Sequence, residues 1–488
     1  MKLRLLFLFS LLNAFTLNAQ FDPFPGIWSG DILVQGSKLN LIFKIKKNTI
    51  NDPALKYTSK MDVPMQMAKN IEVDETLIKK KNITFNIRIL GANFKGKIID
   101  TNHIEGVFYQ NKTSFELILT KTYIESELDR PQTPKPPFKY GIESAVFSNH
   151  EGDILFSGSL TYPKTLDATK HPVVILFSGS GAQTRDGNIF GHQTYWVIAD
   201  HLTKAGFAVL RVDDRGAGNT KVKPSKMNYT TADLIEDGVD YVQYIKTLPM
   251  IDSNRIFLIG HSEGGAVAAA VAAKNKKIRG IIGLAPSLIS GLDINTYQNT
   301  QIIDNFKMDS TSKRLYVHLH RMMVNNCALL PNNSGLSAYK TMVDSVYAVW
   351  YQQANFQNKK SIKIIGKQLK GKKFKTVNQS LQSVYQPIAY NAWMKYFLQY
   401  NPMVDWMNVK CPALILNGSK DLQVPVSLNK VAFEKINRHK DITFKELNDI
   451  NHLFQKCETG LLLEYGQITE TVNPEVLIEM SKWLDAHK

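Results

Sequence analysis

The sequence predicts an α/β chain in which a small antiparallel β-domain precedes a mainly parallel sheet with helices on both faces. Two observations lead to this fold class. Short segments that alternate apolar and polar residues fill the first part of the chain, to about residue 124, and indicate antiparallel strands. From about residue 141 onward, apolar strand segments alternate with helical segments, which is typical of a parallel sheet packed between helices.

Residues 1–19 have the pattern of a secretory signal peptide, which is not part of the fold. Lys2 and Arg4 precede an apolar run that is too short to span a bilayer, and the small residue Ala19 stands before the expected cleavage junction. We therefore expect an exported protein, periplasmic or extracellular, with no transmembrane segment after signal cleavage. The sequence leaves the oligomeric state open.

Residues 20–124 predict a β-rich domain built as an antiparallel meander or a small barrel. A proline-rich segment follows, which favours an extended, semi-rigid linker over residues 125–140. The α/β domain then occupies residues 141–488. The strands expected in the first domain are 26–34, 39–45, 83–87, 94–98, 104–108 and 115–119.

The strand and helix alternation breaks near residue 288 and resumes with an apolar strand at 413–416. The intervening residues, about 290–400, are mostly helical in pattern, and we interpret them as a cap over the functional site. Most of the cap's large side chains are expected to form its own core. Candidates to line the site are Tyr297, Tyr316, Met322, Met323, Tyr347, Trp350, Tyr351, Trp393 and Tyr396.

The charge and cysteine content exclude several functional classes. The net charge is +16, but the lysines are spread along the chain, and the densest group, at 359–375, has the spacing of a solvated helix face followed by a turn. We therefore expect no nucleic-acid partner. Three cysteines without a CxxC pattern indicate neither a disulfide framework nor a metal site, and no nicotinamide fingerprint is present at the right place. We expect no cofactor and no metal.

The strongest candidate for chemistry is Ser262, at the centre of the GxSxG pattern of residues 260–264. An apolar strand segment precedes it and an alanine-rich helix segment follows it. Such a sharp strand-to-helix turn exposes the serine Oγ at the N-terminus of a helix, whose dipole favours developing negative charge. The pattern predicts a catalytic nucleophile.

A serine hydroxyl needs a base, and the base needs a carboxylate that fixes its tautomer. Asp421 follows a predicted strand and a glycine-containing turn, and His452 lies in a polar loop after the next strand. Both therefore fall at the carboxyl edge of the sheet, where sites of parallel sheets form. The rival acids are Asp405, Asp441 and Asp449, and the rival histidines are His318, His320, His439 and His487.

The oxyanion of an acyl intermediate requires two backbone N–H donors. We expect one from Glu263, which follows the nucleophile, and the other from Ser180, with Gly181 as the alternative. The loop that carries Ser180 continues through Arg185 and Asp186, which we expect to form an ion pair. A second loop, residues 213–218, is expected to brace the site and lacks the ending of a phosphate-binding loop.

These motifs resemble exported bacterial α/β-hydrolases of the serine-esterase type, related to the dienelactone-hydrolase and prolyl-oligopeptidase branches. The resemblance covers about residues 140–488 and implies the α/β-hydrolase fold and the triad Ser262, Asp421 and His452. It departs from the family at Ser178, where many relatives have a histidine, and Ser262 argues against the cysteine chemistry of dienelactone hydrolases proper. It rests on residues 177–181, 213–218, 260–265, 417–425 and 451–452.

Three functions are compatible with these residues. The leading hypothesis is hydrolysis of a small-molecule acyl ester through an acyl-enzyme on Ser262. The second is a serine peptidase of the prolyl-oligopeptidase-like class, although about 100 residues before the linker are too few for the β-propeller such peptidases carry. The third is a non-catalytic envelope binding protein.

Overall fold

The computed structural model describes residues 24–488 except 35–36, 49–55, 67, 111–112, 123–129, 165–169, 305, 356–357, 372–373 and 437–440. The predicted signal peptide, residues 1–19, lies outside the described residues. The chain divides into two compact units, Met1–Glu127 and Leu128–Lys488.

The described part of the first unit is one antiparallel sheet. Its strand order is β4-β3-β2-β1-β9-β8-β7-β6-β5. The Phe43 ring on β2 stacks on Phe85 of β6 with ring centroids 4.4 Å apart, so distant strands of this sheet face each other across a shared apolar core. The strands are β1 (Gly26–Val34), β2 (Ser37–Lys47), β3 (Tyr57–Val63), β4 (Ala68–Val73), β5 (Glu75–Lys79), β6 (Asn82–Ile87), β7 (Ala92–Ile98), β8 (His103–Gln110) and β9 (Thr113–Thr122).

The second unit contains an eight-strand path in the order β10-β11-β15-β12-β17-β18-β19-β20, with the short β16 paired to β11. The first two neighbouring pairs are antiparallel, and every pair from β15 to β20 is parallel. The strands are β10 (Tyr140–Ser148), β11 (Ile154–Pro163), β12 (His171–Phe177), β13 (Asn188–Ile189), β14 (His192–Gln193), β15 (Ala208–Val212), β16 (Lys221–Val222), β17 (Ile251–His261), β18 (Ile278–Leu284), β19 (Ala413–Gly418) and β20 (Ile442–Leu447).

Helices cover both faces of this sheet. Their bounds are α1 (Thr194–Lys204), α2 (Thr231–Thr247), α3 (Glu263–Lys274), α4 (Gly291–Asp304), α5 (Ser310–Leu329), α6 (Leu336–Asn355), α7 (Lys359–Lys370), α8 (Val377–Ala389), α9 (Ala392–Gln399), α10 (Pro402–Asn408), α11 (Val426–Ile436), α12 (Leu462–Tyr465) and α13 (Pro474–His487).

Strand β12 shows why the sheet is buried on both sides. Val173 and Ile175 pack into an apolar cluster with α2, α3 and α11, whereas Val174 and Leu176 pack into another with α1 and α13. Successive side chains of a strand point to opposite faces, so an uninterrupted apolar run is buried only when both faces are covered. The predicted parallel sheet with helices on both faces is therefore present.

Seven helices, α4 to α10, lie in the chain between the neighbouring strands β18 and β19. Helices α5 to α9 form a core of their own that includes Met323, Tyr339, Trp350 and Leu381, whereas Trp406 of α10 is buried in the core of the sheet. Helix α7 buries Ile362 and Ile365 and leaves its lysines exposed, as the predicted solvated face requires. In the part of the chain that the structure describes, no helix has the length and hydropathy to cross a membrane.

The middle of the predicted linker is bonded into the second unit. Arg130 is 9% exposed, and its guanidinium donates to the carbonyl oxygens of Ile468, Phe190 and Gly466 at 3.0, 2.8 and 2.8 Å. The Gln132 amide donates to the Val472 carbonyl at 2.7 Å. Residues 130–132 therefore belong physically to the second unit.

We expect Arg130→Met to lower the free energy of unfolding of the second unit by about 2–4 kcal/mol, because it leaves buried carbonyl oxygens without charged donors. Urea denaturation of the full chain measures the loss. Lys135→Met is the control, since Lys135 is exposed in the same segment and should change stability by less than about 0.5 kcal/mol. Equal effects of the two variants would contradict this role of Arg130.

Candidate active site

Ser262 lies at the turn between β17 and α3, in a backbone conformation that non-glycine residues rarely adopt. Its φ is 57° and its ψ is −120°. The flanking glycines have no room for a side chain, since a Cβ at Gly260 would overlap the Gly264 carbonyl and one at Gly264 would overlap the carbonyls that end β12. The turn therefore has the strained geometry expected of a nucleophile elbow.

Backbone hydrogen bonds hold this strained residue in place. The Ser262 N–H donates to the Leu284 carbonyl at 2.9 Å, and the Ser262 carbonyl accepts from the N–H groups of Gly265 and Ser287 at 3.0 and 3.2 Å. Strain of this kind persists only where the surroundings over-determine the conformation. Here the hydrogen bonds with the end of β18 and with the start of α3 fix the conformation of Ser262.

Asp421 and His452 are hydrogen-bonded to each other. His452 Nδ1 lies 2.8 Å from Asp421 Oδ2, and each residue is 3% exposed. The other carboxylate oxygen, Oδ1, accepts from the backbone N–H groups of Gln423 and Val424, both at 2.8 Å. Since a carboxylate only accepts, Nδ1 carries the proton of a neutral His452 ring, which leaves Nε2 as a base.

None of the rival acids occupies this position. Asp449 is exposed and pairs with the ammonium of Lys420 at 2.8 Å. The Asp405 carboxylate accepts from the Tyr400 hydroxyl at 2.6 Å. Asp441 directly precedes β20, at the opposite end of that strand from the loop that carries the base.

The rival histidines are hydrogen-bonded elsewhere, lie on helices α5 and α13, or are among the residues that the structure does not describe. His320 is buried in the inserted helices, where its ring nitrogens lie 2.9 Å from Tyr385 Oη and from Asn295 Oδ1. His318 is on the same helix, α5; His487 ends α13; and His439 is among the residues that the structure does not describe.

The loop after β12 lies against the nucleophile. A Cβ at Gly179 would be 3.2 Å from Ser262 Cβ, but the Gly179 N–H already donates to Tyr195 Oη at 3.0 Å. The next residue, Ser180, lines the same cavity as Ser262. Glu263 opens α3, so its N–H is one of the donors that a helix N-terminus leaves without an intrahelical partner.

The predicted ion pair between Arg185 and Asp186 is wrong. Arg185 instead binds Asp213, at 2.7 Å from Nη2 to Oδ2, and Asp186 pairs with Arg211. The two neighbouring side chains diverge because Arg185 also donates to the hydroxyl groups of two β11 residues. Sequence adjacency was a poor guide here, since the partners come from the adjacent strand β15 and its following turn.

The second loop braces the first, as expected. Asp214 Oδ2 accepts from Ser178 Oγ at 2.6 Å and from the Gln183 N–H at 2.9 Å. Ser178, the position at which the sequence departs from the resembled family, therefore serves as a donor to Asp214. The carboxylate ties together both ends of the segment that contains Ser180.

A buried chain of hydrogen bonds joins this loop to His452. His261 Nε2 lies 2.9 Å from the His452 carbonyl oxygen, so Nε2 carries the proton, and Nδ1 accepts from Tyr195 Oη at 3.3 Å. Tyr195 in turn accepts from Gly179. Burial lowers the pKa of His261 to about 3, so the ring next to His452 stays neutral. Tyr195 and His261 thus position the loop and the base relative to each other.

Ser262 and His452 open into one cavity of about 320 Å³. This size is near the lower limit for small-molecule sites. The cavity wall comes from the sheet edge, from α4 and α9 of the inserted helices, and from α12. The lining residues are Gly179, Ser180, Gln183, Ile189, His261, Ser262, Ser287, Ile294, Asn295, Gln298, Trp393, Met394, Phe397, Gln423, Val424, His452, Leu453, Leu462 and Tyr465.

Of the nine large side chains proposed from the sequence to line the site, Trp393 does so. Tyr297 lines a separate cavity, and Met323 and Trp350 are buried in the core of the inserted helices. Sequence reasoning missed Phe397, although it lies four residues after Trp393 and therefore on the same helix face. It also missed Tyr195, for which no local pattern gave a signal.

A model of a known protein family matches part of the second unit. Residues 187–352, about a third of the chain, match the model of the family described as serine aminopeptidase, S33. This match lies within the second unit and supports the α/β-hydrolase fold predicted for it. The matched segment contains Ser262 and ends before Asp421 and His452.

Similar proteins include two curated relatives and a solved structure. The chain is 30% identical to "Esterase EstD" of Thermotoga maritima over 129 residues, 26% of this chain and 30% of that protein. It is 28% identical to "Quorum-quenching protein AidA" of Acinetobacter baumannii over 134 residues, 28% of this chain and 41% of that protein. A Pyrococcus furiosus esterase structure is 14% identical with a TM-score of 0.43, covering 74% of this chain and 98% of that one. The chain thus spans less than half the length of either curated relative.

The buried neutral His261 predicts a loss of stability on acidification. In the unfolded chain its pKa returns to about 6.5, so between about pH 6.5 and 3 the unfolded state binds more protons and the free energy of unfolding falls as the pH falls. From pH 7 to 5 this group contributes a loss of about 2 kcal/mol. Urea denaturation at both pH values measures it. His261→Gln should be less stable at pH 7 but less pH-dependent, and an unchanged pH dependence would contradict the assignment.

Proposed function

We propose that this protein hydrolyses carboxylic esters through an acyl-enzyme on Ser262. The observation that carries the proposal is the bond from His452 Nδ1 to the buried Asp421, in a cavity that Ser262 shares. That bond directs the basic Nε2 of His452 away from the carboxylate. A serine near such a base is the arrangement that nucleophilic acyl transfer requires.

The reaction follows from these atoms. Ser262 Oγ attacks the acyl carbonyl carbon while His452 Nε2 takes the hydroxyl proton. The negative charge that forms on the carbonyl oxygen is stabilised by the backbone N–H groups of Glu263 and Ser180. His452 then gives its proton to the leaving alcohol, and a water molecule, deprotonated by the same nitrogen, releases the carboxylic acid and restores Ser262.

The lining of the cavity favours an ester over a peptide with a free amino terminus. Among the described residues that line it, none is Asp, Glu, Lys or Arg. A substrate ammonium group would lose its hydration there without gaining a counter-charge, which is strongly unfavourable. An aminopeptidase needs such a carboxylate, so we place this chain with esterases that act on small, uncharged acyl substrates.

Helices α4 to α9, which fall within the cap predicted at about residues 290–400, act in this proposal as a cap. Two of them, α4 and α9, contribute Asn295, Gln298, Trp393 and Phe397 to the cavity wall. The cap therefore sets the shape available to the substrate, while the sheet edge supplies the reacting groups.

An ester and anilide series tests the proposal. The full chain is assayed with p-nitrophenyl acyl esters of graded length and with aminoacyl and prolyl p-nitroanilides. We expect turnover of the esters, best with short acyl groups because the cavity is small, and little turnover of the anilides. Turnover of the anilides alone would replace the proposal with a peptidase.

The triad predicts the effect of three substitutions on ester turnover. Ser262→Ala should lower kcat by about 10⁵–10⁶-fold, because it removes the nucleophile. Asp421→Asn should lower kcat by about 10⁴-fold, because it stabilises the wrong tautomer of His452. Asp449→Asn is the matched control and should stay within about twofold of the wild type. Full ester turnover by the Ser262→Ala variant would contradict this mechanism.

The proposal places this activity outside the cytoplasm, on the evidence of residues 1–19. We expect the protein exported from a cell to begin at Gln20, because Ala19 supplies the small residue before the junction. N-terminal sequencing of the exported protein measures this, and an intact Met1 on exported protein would contradict it.

A further inference from the structure

A side chain of helix α9 is hydrogen-bonded to the residue that follows the nucleophile. Trp393 Nε1 donates to Glu263 Oε1 at 3.0 Å. The same oxygen accepts from the Thr231 hydroxyl, at the start of α2, at 2.6 Å. Glu263 is therefore the point at which an inserted helix, α2 and the nucleophile turn meet.

The Glu263 carboxyl group depends on these two donors. Glu263 is 2% exposed, and its second oxygen, Oε2, is buried with no hydrogen-bond partner in the structure. A buried carboxyl group has lost its hydration, and if it also loses a hydrogen-bond donor, nothing compensates for that loss and the folded state is destabilised. Movement of the Trp393 indole away from Oε1 would leave Thr231 as the only donor to this group.

The same indole forms part of the cavity wall. Trp393 and Phe397 both line the cavity, and their rings stack with centroids 5.3 Å apart and an interplanar angle of 17°. Two stacked rings one helical turn apart make a flat, stiff surface. Because Glu263 holds one edge of that surface, the wall is fixed relative to Ser262, the neighbour of Glu263 in the chain.

We propose that Trp393 determines the acyl-length specificity of this site, and that its hydrogen bond to Glu263 is what keeps the cavity small. Trp393 would touch the substrate, and Glu263 would act on specificity through Trp393. The inference rests on the proposed ester hydrolysis and names a specificity determinant for it.

The size limit arises from the cost of moving the ring. A long acyl chain could enter only if the indole swung away, and this would break the bond to a buried carboxyl group. Without the indole N–H, the ring is held by stacking alone and can be displaced by a longer substrate. The hydrogen bond from Trp393 to Glu263 therefore fixes the position of an aromatic ring that could otherwise move aside for a longer substrate.

Three substitutions test this with the graded p-nitrophenyl esters. Trp393→Phe keeps an aromatic ring but removes the donor, and it should raise the ratio of kcat/KM for a long ester over that for acetate by about tenfold, mainly through a lower KM for the long ester. Glu263→Leu should raise the same ratio, because it removes the acceptor. Glu263→Gln keeps an amide oxygen as acceptor and should retain the wild-type length profile, whatever its turnover.

Trp350→Phe is the matched control. Trp350 is buried in the inserted helices and donates its indole N–H to the Leu315 carbonyl at 3.0 Å, away from the cavity. This variant loses a comparable bond and should keep both the activity and the length profile of the wild type. Thermal unfolding of each variant shows whether a changed profile accompanies an intact fold.

The outcomes separate the two proposals. A wild-type length profile in a folded Trp393→Phe protein, or the same broadened profile in Trp350→Phe, overturns the specificity role and leaves ester hydrolysis standing. A broadened profile in Trp393→Phe and Glu263→Leu, restored in Glu263→Gln, supports it. If the wild-type chain turns over no ester at all, the proposed function falls and this inference falls with it.

Discussion

The close approach of the nucleophile turn to the end of β12 is the constraint on which the rest of the site depends. Gly264 lies against the last carbonyl groups of β12 with no space for a side chain, and Gly179 lies against Ser262 from the other side. This contact brings Ser262, the start of α3 and the loop that carries Ser180 close together. In the proposed reaction all three can therefore contact the acyl carbonyl group of one substrate. A side chain at Gly264 would separate them, because its Cβ would lie 2.3 Å from the Ser178 carbonyl oxygen.

The parallel sheet supplies the remaining groups to the same edge. Because β12, β17, β19 and β20 run in the same direction, the loops that follow them emerge side by side. Asp421 and His452 follow β19 and β20, so two residues distant in sequence meet without any local pattern joining them. The buried link through His261 and Tyr195 then fixes the base against the loop after β12.

The sequence predicted most of the second unit because strands buried on both faces and amphipathic helices have distinct periods. Asp421, the acid that the sequence favoured because it follows a strand and a glycine-containing turn, lies within hydrogen-bond distance of His452. The sequence missed β3, β4 and β5, because polar residues such as Ser59, Asp62 and Thr76 occupy buried positions in β3 and β5, and most of β4 is exposed or partly exposed. The apolar alternation that marks a strand is therefore weak there. The sequence also paired Arg185 with its neighbour, because side-chain direction in an irregular loop is not encoded by spacing.

The cavity lining was the least predictable feature. Helices α5 to α9 pack around a core of their own, so an aromatic side chain on them can face that core, solvent or the site. Periodicity identifies the buried face of a helix but not which of two apolar surroundings buries it. Trp393 and Trp350 illustrate this, since both lie on inserted helices and only Trp393 lines the cavity.

The placement of α4 to α10 between β18 and β19 also has a consequence for biosynthesis. Ser262 leaves the ribosome before these helices, whereas Asp421 and His452 follow them, near the C-terminus. A growing chain therefore contains Ser262 without His452, its proposed base, for as long as the helices are being made. Since β19 and β20 add the last strands of the sheet, the reactive arrangement is complete only in the finished chain. The proposed ester hydrolysis therefore cannot begin while the inserted helices are still being synthesised.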